Sequence, residues 1–209
     1  MRIHLLVIAA LALGSLAAKP DVLILYTTRT NHTRTVVEQV AGALGESAAV
    51  TVHGVHSSVT RPGILGYAKG IFQAFAKEPL VPLQEEPISW DRYDTVIIAG
   101  PIHCWNYSPV LRSYLLHHEA KFGGFPRKIK MGMIATQGGS GAGKAFKSAS
   151  DLLALQPAET LVINESQLKR PAEVQFLSRQ FASNLIAAST PAPLEVTHTP
   201  LTTLMHENL

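Results

Sequence analysis

The length, composition and charge of the chain exclude several classes of protein. Its 209 residues suffice for one domain, and 46% of them are hydrophobic while 16% are charged, a balance typical of a folded globular protein. The net charge of +3 is mild and the basic residues form no long run, so no nucleic-acid-binding surface is expected. A single cysteine, Cys104, excludes an internal disulfide, so the fold must depend on its hydrophobic core.

The first 17 residues have the three parts of a secretory signal peptide. Arg2 is followed by an apolar stretch over 5–13 and by small residues over 14–18. The apolar stretch is shorter than the roughly 20 residues that a membrane-spanning helix needs. We therefore expect cleavage near Ala17 and a secreted or lumenal location. An uncleaved anchor and a buried first strand remain alternatives.

Residues 22–33 predict a buried strand, a hydroxyl-rich turn and the start of a helix. The apolar run over 22–26 is typical of a strand buried on both faces of a parallel sheet. Four threonines follow within seven residues, and apolar residues then recur at helical spacing over 36–44. The N–H groups at a helix start suit a phosphate, and threonine hydroxyls add donors. A threonine-rich helix cap without a ligand is the alternative interpretation.

The rest of the chain alternates between strands and helices. Ser108 and Pro109 are a typical N-cap and first residue of one of these helices. Residues 189–209 are rich in Pro and Thr without periodicity and predict a flexible tail. The alternation predicts one domain over 21–188, with a parallel sheet covered by helices on both faces. The further strands are predicted at 48–52, 94–100, 128–136 and 159–164, and the further helices at 64–76, 109–118, 145–155 and 172–188.

Two more unusual turns follow predicted central strands. One runs from Gly100 to Pro109 and contains Trp105 and Tyr107, and the other is a glycine-rich turn over 136–143. In an open parallel sheet, ligands bind at the carboxyl ends of the strands, where the strand order reverses. We therefore expect these turns and the threonine turn to meet at that edge.

The threonine turn resembles the phosphate loop of flavodoxin-like proteins, usually written S/T-x-T-G-x-T. The matching residues are Thr28, Thr30 and Thr33, and Asn31 stands where the family has glycine. Asparagine is the residue after glycine that best tolerates a left-handed backbone. The resemblance implies that this turn holds the phosphate of FMN.

The other two turns resemble the family's second and third loops. In the second loop, a strand ends in G-x-P and the chain returns through S/A-P into a helix that carries an arginine. Trp105 and Tyr107 are the candidates for stacking on the flavin ring, and His103 stands where relatives often have the aromatic residue. Residues 136–141 resemble the third loop, whose backbone amides address the polar edge of the ring.

The resemblance implies a flavodoxin-like, doubly wound, five-stranded parallel sheet with strand order 2-1-3-4-5 and FMN as cofactor, its ring between the second and third loops. It further implies an electron carrier or an oxidoreductase linked to NAD(P)H or a quinone, with a redox partner protein and possible homo-oligomers. No catalytic side chain is identified. The implied cofactor contacts are Thr28, Arg29, Thr30, Asn31, His32 and Thr33 in the first loop, Pro101, Ile102, His103, Cys104, Trp105, Asn106 and Tyr107 in the second, and Thr136, Gln137, Gly138, Gly139 and Gly141 in the third.

Two other functions compete with this interpretation. The stretch from Gly138 to Lys144 nearly matches the phosphate loop of nucleotide hydrolases, but Ala145 lacks the hydroxyl that would bind magnesium. A flavodoxin fold that has lost its cofactor and serves as a binding module is the other alternative, because of Asn31 and the displaced aromatic residue. No metal site is expected at His117 and His118, since adjacent helix residues do not share a face.

Overall fold

The computed structural model describes residues 18–58, 81–123 and 128–188. The predicted signal segment 1–17, the helix predicted at 64–76 and the tail over 189–209 lie outside the described residues.

The described residues form strands and helices in alternation. Most of the predicted elements are present, and the strand over 159–164 has the predicted bounds. The elements are β1 (Asp21–Tyr26), α1 (His32–Leu44), β2 (Ala49–Gly54), β3 (Thr95–His103), β4 (Asn106–Tyr107), α2 (Pro109–Phe122), β5 (Lys130–Gln137), α3 (Ala142–Leu153), β6 (Glu159–Asn164), α4 (Glu165–Leu168) and α5 (Pro171–Ala187).

The five long strands form one parallel sheet in the order β2-β1-β3-β5-β6. Counted in chain order without β4, this is the predicted order 2-1-3-4-5. The two-residue β4 pairs antiparallel with the end of β3 and was not predicted, because it is short and its turn contains no glycine. The strand order reverses between β1 and β3, so the switch point lies between their carboxyl ends.

Two hydrophobic cores cover the two faces of the sheet. On one face, residues such as Leu23, Ile98 and Met133 pack against α2 and α3. On the other face, residues such as Ile24 and Ile134 pack against α1 and α5. Residues 22–25 are fully buried, which confirms the prediction of a central strand covered on both faces.

Side-chain alternation along β5 assigns each residue to one of these cores. Met131, Met133 and Ala135 belong to the α2–α3 face, whereas Ile134 belongs to the α1–α5 face. A Cβ atom on Gly132 would lie 3.0 Å from the ring of Phe181 in α5, so the even-numbered positions face α1 and α5. This alternation continues to the end of the strand, where the loops begin.

Histidine 118 is a core residue of α2. Its side chain is buried, and its ring centroid lies 4.2 Å from that of Trp90 and 4.8 Å from that of Phe122. Burial lowers the pKa of His118 to about 4, whereas His117 is exposed. Within the described ranges, no three metal-ligating side chains cluster, and no helix has the length and apolarity to cross a bilayer.

Candidate functional site

The first loop joins β1 to α1 and starts the helix with a left-handed residue. The buried Thr27 donates its N–H to the carbonyl of Ala99 in β3, at 3.1 Å, which holds the loop beside the switch point. Asn31 is the N-cap of α1 with φ 64° and ψ −1°. Asn31 thus has the left-handed backbone that asparagine tolerates best after glycine.

The start of α1 is open to an anion. The side chain of Asn31 makes no capping hydrogen bond, and the first turn contains no acidic residue. Arg29, Thr30 and His32 are exposed around this start, while Thr28 is half-buried. The uncapped N–H groups of the first turn and the positive charge of the nearby Arg29 thus make negative charge favourable at this helix start.

Thr33 has a different role from the one that the sequence suggested. Its side chain is buried, and its Oγ1 lies 2.8 Å from Oγ1 of Thr136 at the end of β5. The Thr33 hydroxyl therefore links the first loop to the third loop. Thr28 and Thr30 are the threonines of this loop with accessible side chains.

The second loop is a tight hairpin between β3 and β4. Its central residues, Cys104 and Trp105, have φ values of 50° and 62°, and Ile102 pairs with Tyr107 across the hairpin. Two successive positive φ values are characteristic of the type I′ turn that suits a two-residue hairpin. The turn presents Trp105 at the edge of the sheet, with its side chain 50% exposed.

Tyr107 lies in the hydrophobic core and not at the edge. It is 1% exposed, and its hydroxyl donates to the carbonyl of Ile134 at 3.2 Å. Its ring centroid lies 6.1 Å from that of Phe146 in α3. The interpretation of Tyr107 as a ring-stacking residue is thus wrong, since the hairpin turns its side chain inward.

Gly100 lacks a side chain because the hydrophobic core leaves no room for one, and not because a ligand approaches it. A Cβ atom there would lie 2.8 Å from Leu111 Cδ2 and 3.1 Å from Tyr107 Cδ1. The space beside Gly100 is therefore filled by the core side chains that follow it. Of the other second-loop candidates, Pro101, Ile102, His103, Cys104 and Asn106 are half-buried.

The third loop is held by the side chain of Gln137. Its Nε2 donates to the carbonyl of Gly139 at 2.9 Å and to Oδ1 of Asn164 at 3.0 Å. Its Oε1 accepts the N–H of Ala142, the first residue of α3, at 3.0 Å. Gln137 therefore organises the loop through its own amide, while Gly138 and Gly139 are exposed.

The second and third loops touch each other at Gly141. This residue has φ 119°, and a Cβ atom on it would lie 3.0 Å from both Cα and Cδ1 of Trp105. Only glycine satisfies this backbone conformation together with this close approach. Because Trp105 and Gly141 touch, a flat ligand would lie beside this contact and not through it.

Two cationic side chains, Arg29 and Lys144, lie at the edge formed by the three loops, and a carboxylate oxygen of Glu165 lies near Gly138. Burial, and secondarily the positive charge of Arg29 in the first loop, lower the pKa of His103 in the second loop. The Nζ atom of Lys144 lies 5.4 Å from the ring centroid of Trp105, a cation–π distance. The sequence singled out Lys144 only as part of the nucleotide-hydrolase match and gave no signal for its position over Trp105.

The nucleotide-hydrolase interpretation of residues 138–145 has no support in this geometry. Lys144 lies over Trp105, and Ala145 is buried in the core. A hydroxyl at position 145 would therefore face hydrophobic side chains and not a metal ion.

Solved structures resemble the chain, whereas no protein-family model and no curated protein matches it. A candidate flavoprotein from Bacteroides uniformis has a TM-score of 0.59 at 17% identity, over 72% of this chain and 96% of that one. A flavoprotein in complex with FMN from Lactobacillus acidophilus has a TM-score of 0.52 at 14% identity, over 73% and 99% of the two chains.

A third similar structure is an NAD(P)H:quinone oxidoreductase from Methanothermobacter marburgensis. Its TM-score is 0.51 at 16% identity, and the match covers 81% of this chain and 98% of that one. At such low identity the likeness concerns the fold alone. Together with the strand order and the position of the three loops, it shows that this chain has a flavodoxin-like fold.

Proposed function

We propose that the chain binds FMN at the carboxyl edge of its sheet and acts as a redox protein. The observation that carries this proposal is the convergence of the three loops at the β1–β3 switch point. The loops are joined by Thr27 to Ala99, by Thr33 to Thr136, and by Trp105 against Gly141. The FMN-complexed flavoprotein among the similar structures supports the choice of cofactor.

The start of α1 fits the phosphate of FMN. The helix N–H groups are not capped by Asn31, the hydroxyls of Thr28 and Thr30 are donors, Arg29 adds positive charge, and the exposed ring of His32 lies in the first turn. A hydrogen bond to a charged group contributes roughly 1.5–3 kcal/mol. The loss of one hydroxyl should therefore weaken FMN binding about tenfold or more.

The second and third loops fit the ring. Trp105 offers a half-exposed aromatic surface for stacking. Gly138 and Gly139 present exposed backbone to the polar edge of a ring. The bound flavin supplies the electron-transfer chemistry, and these residues orient it and shield it from water.

The test is a titration of the apo-protein with FMN and with riboflavin, which lacks the phosphate. We expect FMN to bind far more tightly, and Thr30→Val to narrow the difference because it keeps the shape of the side chain and removes the donor. Thr160→Val is the matched control, since Thr160 is exposed on β6. Equal affinity of the two flavins would exclude the phosphate site.

The contact between Trp105 and Gly141 favours a second candidate, a binding module without cofactor. This contact closes the gap between the second and third loops at one point. The same titration separates the two functions, because the cofactor-free module binds neither flavin. A purified protein that carries FMN would also be yellow.

The proposal also includes the molecule with which the bound flavin exchanges electrons. The similar NAD(P)H:quinone oxidoreductase supports a small redox substrate of that kind. We expect NAD(P)H, added without oxygen, to bleach the flavin of the loaded protein, and a quinone to restore its colour. A flavin that is reduced only by a partner protein would make the chain an electron carrier.

We also propose that residues 1–17 direct the chain into the secretory pathway. The order of basic, apolar and small residues in this segment supports a cleaved signal. N-terminal sequencing after expression in a secreting cell should find a chain that begins near residue 18. An intact Met1 on a cytosolic protein would contradict the proposal.

A further inference from the structure

The last two residues of β5, Thr136 and Gln137, lie on opposite faces of the sheet. One is bonded to the first loop, where the phosphate is proposed to bind (the phosphate half of the site). The other lies in the third loop, where the ring is proposed to bind (the ring half). Ile134 faces α1 and α5, and Ala135 faces α2 and α3. By the same alternation, Thr136 faces α1 and Gln137 faces α3. Their hydrogen bonds agree with this assignment.

Thr136 reaches the phosphate half. Its hydroxyl lies 2.8 Å from that of Thr33 in the first turn of α1, across 103 residues of chain, and both side chains are buried. One hydroxyl donates and the other accepts, so each of the two buried oxygen atoms has a hydrogen-bond partner within the protein. The bond therefore ties the start of α1 to the end of β5.

Gln137 reaches the ring half. Its single amide makes hydrogen bonds to the carbonyl of Gly139, to Oδ1 of Asn164 and to the N–H of Ala142. These three bonds connect the loop, the end of β6 and the start of α3. The exposed glycines of the third loop have no side chains with which to hold this shape themselves.

We infer that Thr136 and Gln137 are positioning residues with separate tasks, Thr136 for the phosphate of the flavin and Gln137 for its ring. This inference rests on the proposed function. It concerns the two side chains and is separate from the contacts expected of the third loop's backbone amides, since the side chain of Thr136 is buried and the amide of Gln137 is engaged by three protein groups.

The experiment measures the dissociation constants of FMN and riboflavin for the full chain and two variants. Thr136→Val keeps the shape of the side chain. It should raise the dissociation constant of FMN about fivefold, the effect of one ordinary hydrogen bond, and leave that of riboflavin unchanged. Gln137→Met should raise the dissociation constants of FMN and riboflavin by a similar factor, so that their ratio stays at the wild-type value. Thr136→Ser restores the hydroxyl and should restore the ratio.

Circular dichroism and urea unfolding of each variant check that it folds. If Thr136→Val does not fold, Thr136→Ala is the substitute, and if Gln137→Met does not fold, Asn164→Ala removes one partner of the amide. The same changes in the two constants are expected from the substitutes.

The possible results separate the inference from the proposed function. A wild-type protein that binds neither flavin overturns both. A wild-type protein that binds FMN, with Thr136→Val lowering both affinities equally or Gln137→Met changing their ratio, overturns the inference alone. The inference is supported only if Thr136→Val weakens the binding of FMN alone and Gln137→Met weakens the binding of both flavins equally.

Discussion

The first and second loops both follow a central strand and lead into a helix, but they begin that helix in opposite ways. Asn31 starts α1 with a left-handed backbone and no side-chain cap. Ser108 starts α2 with a hydroxyl that accepts the N–H of Leu111, and Pro109 follows it. The backbone donors at the start of α1 thus lack a side-chain cap from Asn31, whereas the start of α2 is capped by Ser108.

The hairpin before α2 explains this difference. In the second loop the chain first turns back through Cys104 and Trp105 and buries Tyr107 before the helix begins. The loop therefore contributes packing on its inner side and one aromatic surface on its outer side. The first loop forms no hairpin and leads directly into α1, so its backbone N–H donors stay at the edge of the sheet.

The largest expected effect separates the two sides of the hairpin. Tyr107→Ala should lower the free energy of unfolding by about 3–5 kcal/mol, because it empties a buried site. Trp105→Ala, at a half-exposed position, should cost less than about 1 kcal/mol but weaken FMN and riboflavin alike. Urea unfolding and flavin titration measure the two effects. Equal losses of stability would contradict the division of the hairpin into a core side and a ligand side.

Acid should destabilise the protein through α2. Burial lowers the pKa of His118 to about 4, so the unfolded chain takes up the proton first as the pH falls. Above pH 6.5 His118 is neutral in both states and the free energy of unfolding is unaffected. Between pH 6.5 and pH 4 the unfolded chain binds the proton and the folded chain does not, so about 3 kcal/mol of the free energy of unfolding is lost by pH 4. Urea unfolding at several pH values measures the loss.

The adjacent histidine is the matched control for this pH dependence. His118→Phe should reduce the dependence of the unfolding free energy on pH, to which His53 and His103, whose pKa values burial also lowers, still contribute. His117→Phe, at an exposed position, should leave the dependence as it is. A His117 variant that flattens the curve would show that the acid sensitivity arises outside the core of α2.

The left-handed start of α1 can be tested at Asn31 itself. Asn31→Val should lower the free energy of unfolding by about 1–2 kcal/mol, because a β-branched residue is strained at φ 64°. Asn31→Gly, which restores the residue of the family motif, should cost little. If valine were tolerated as well as glycine, the first loop would not depend on this conformation.

The smallest expected effect on stability tests the open start of α1 directly. His32→Asp places a carboxylate at an exposed position of the first turn and should stabilise the helix by about 0.3–1 kcal/mol. The same charge should weaken FMN and leave riboflavin unchanged. Ala172→Asp at the start of α5 is the control, since it adds the charge to another helix. A gain in FMN affinity for His32→Asp would argue against a phosphate at α1.

Much of the fold follows from local patterns in the sequence. The apolar run of β1, the alternating elements and the hydroxyl cap at Ser108 could be predicted, because strand burial, helical periodicity and capping depend on residues close in the chain. The left-handed conformation of Asn31 agrees with the known tolerance of asparagine, although the sequence did not predict it. These features need no knowledge of which distant residues meet.

The partners of the loop side chains were decided by the tertiary structure. Trp105 and Tyr107 are two residues apart and both aromatic, yet the hairpin exposes one and buries the other. Thr33 meets Thr136 across 103 residues of chain, and Gln137 bonds to Asn164 only because β5 and β6 are neighbours. The sequence by itself therefore determined which segments form the edge of the sheet. Which of their side chains face a ligand depended on the register and packing of strands that are distant in the chain.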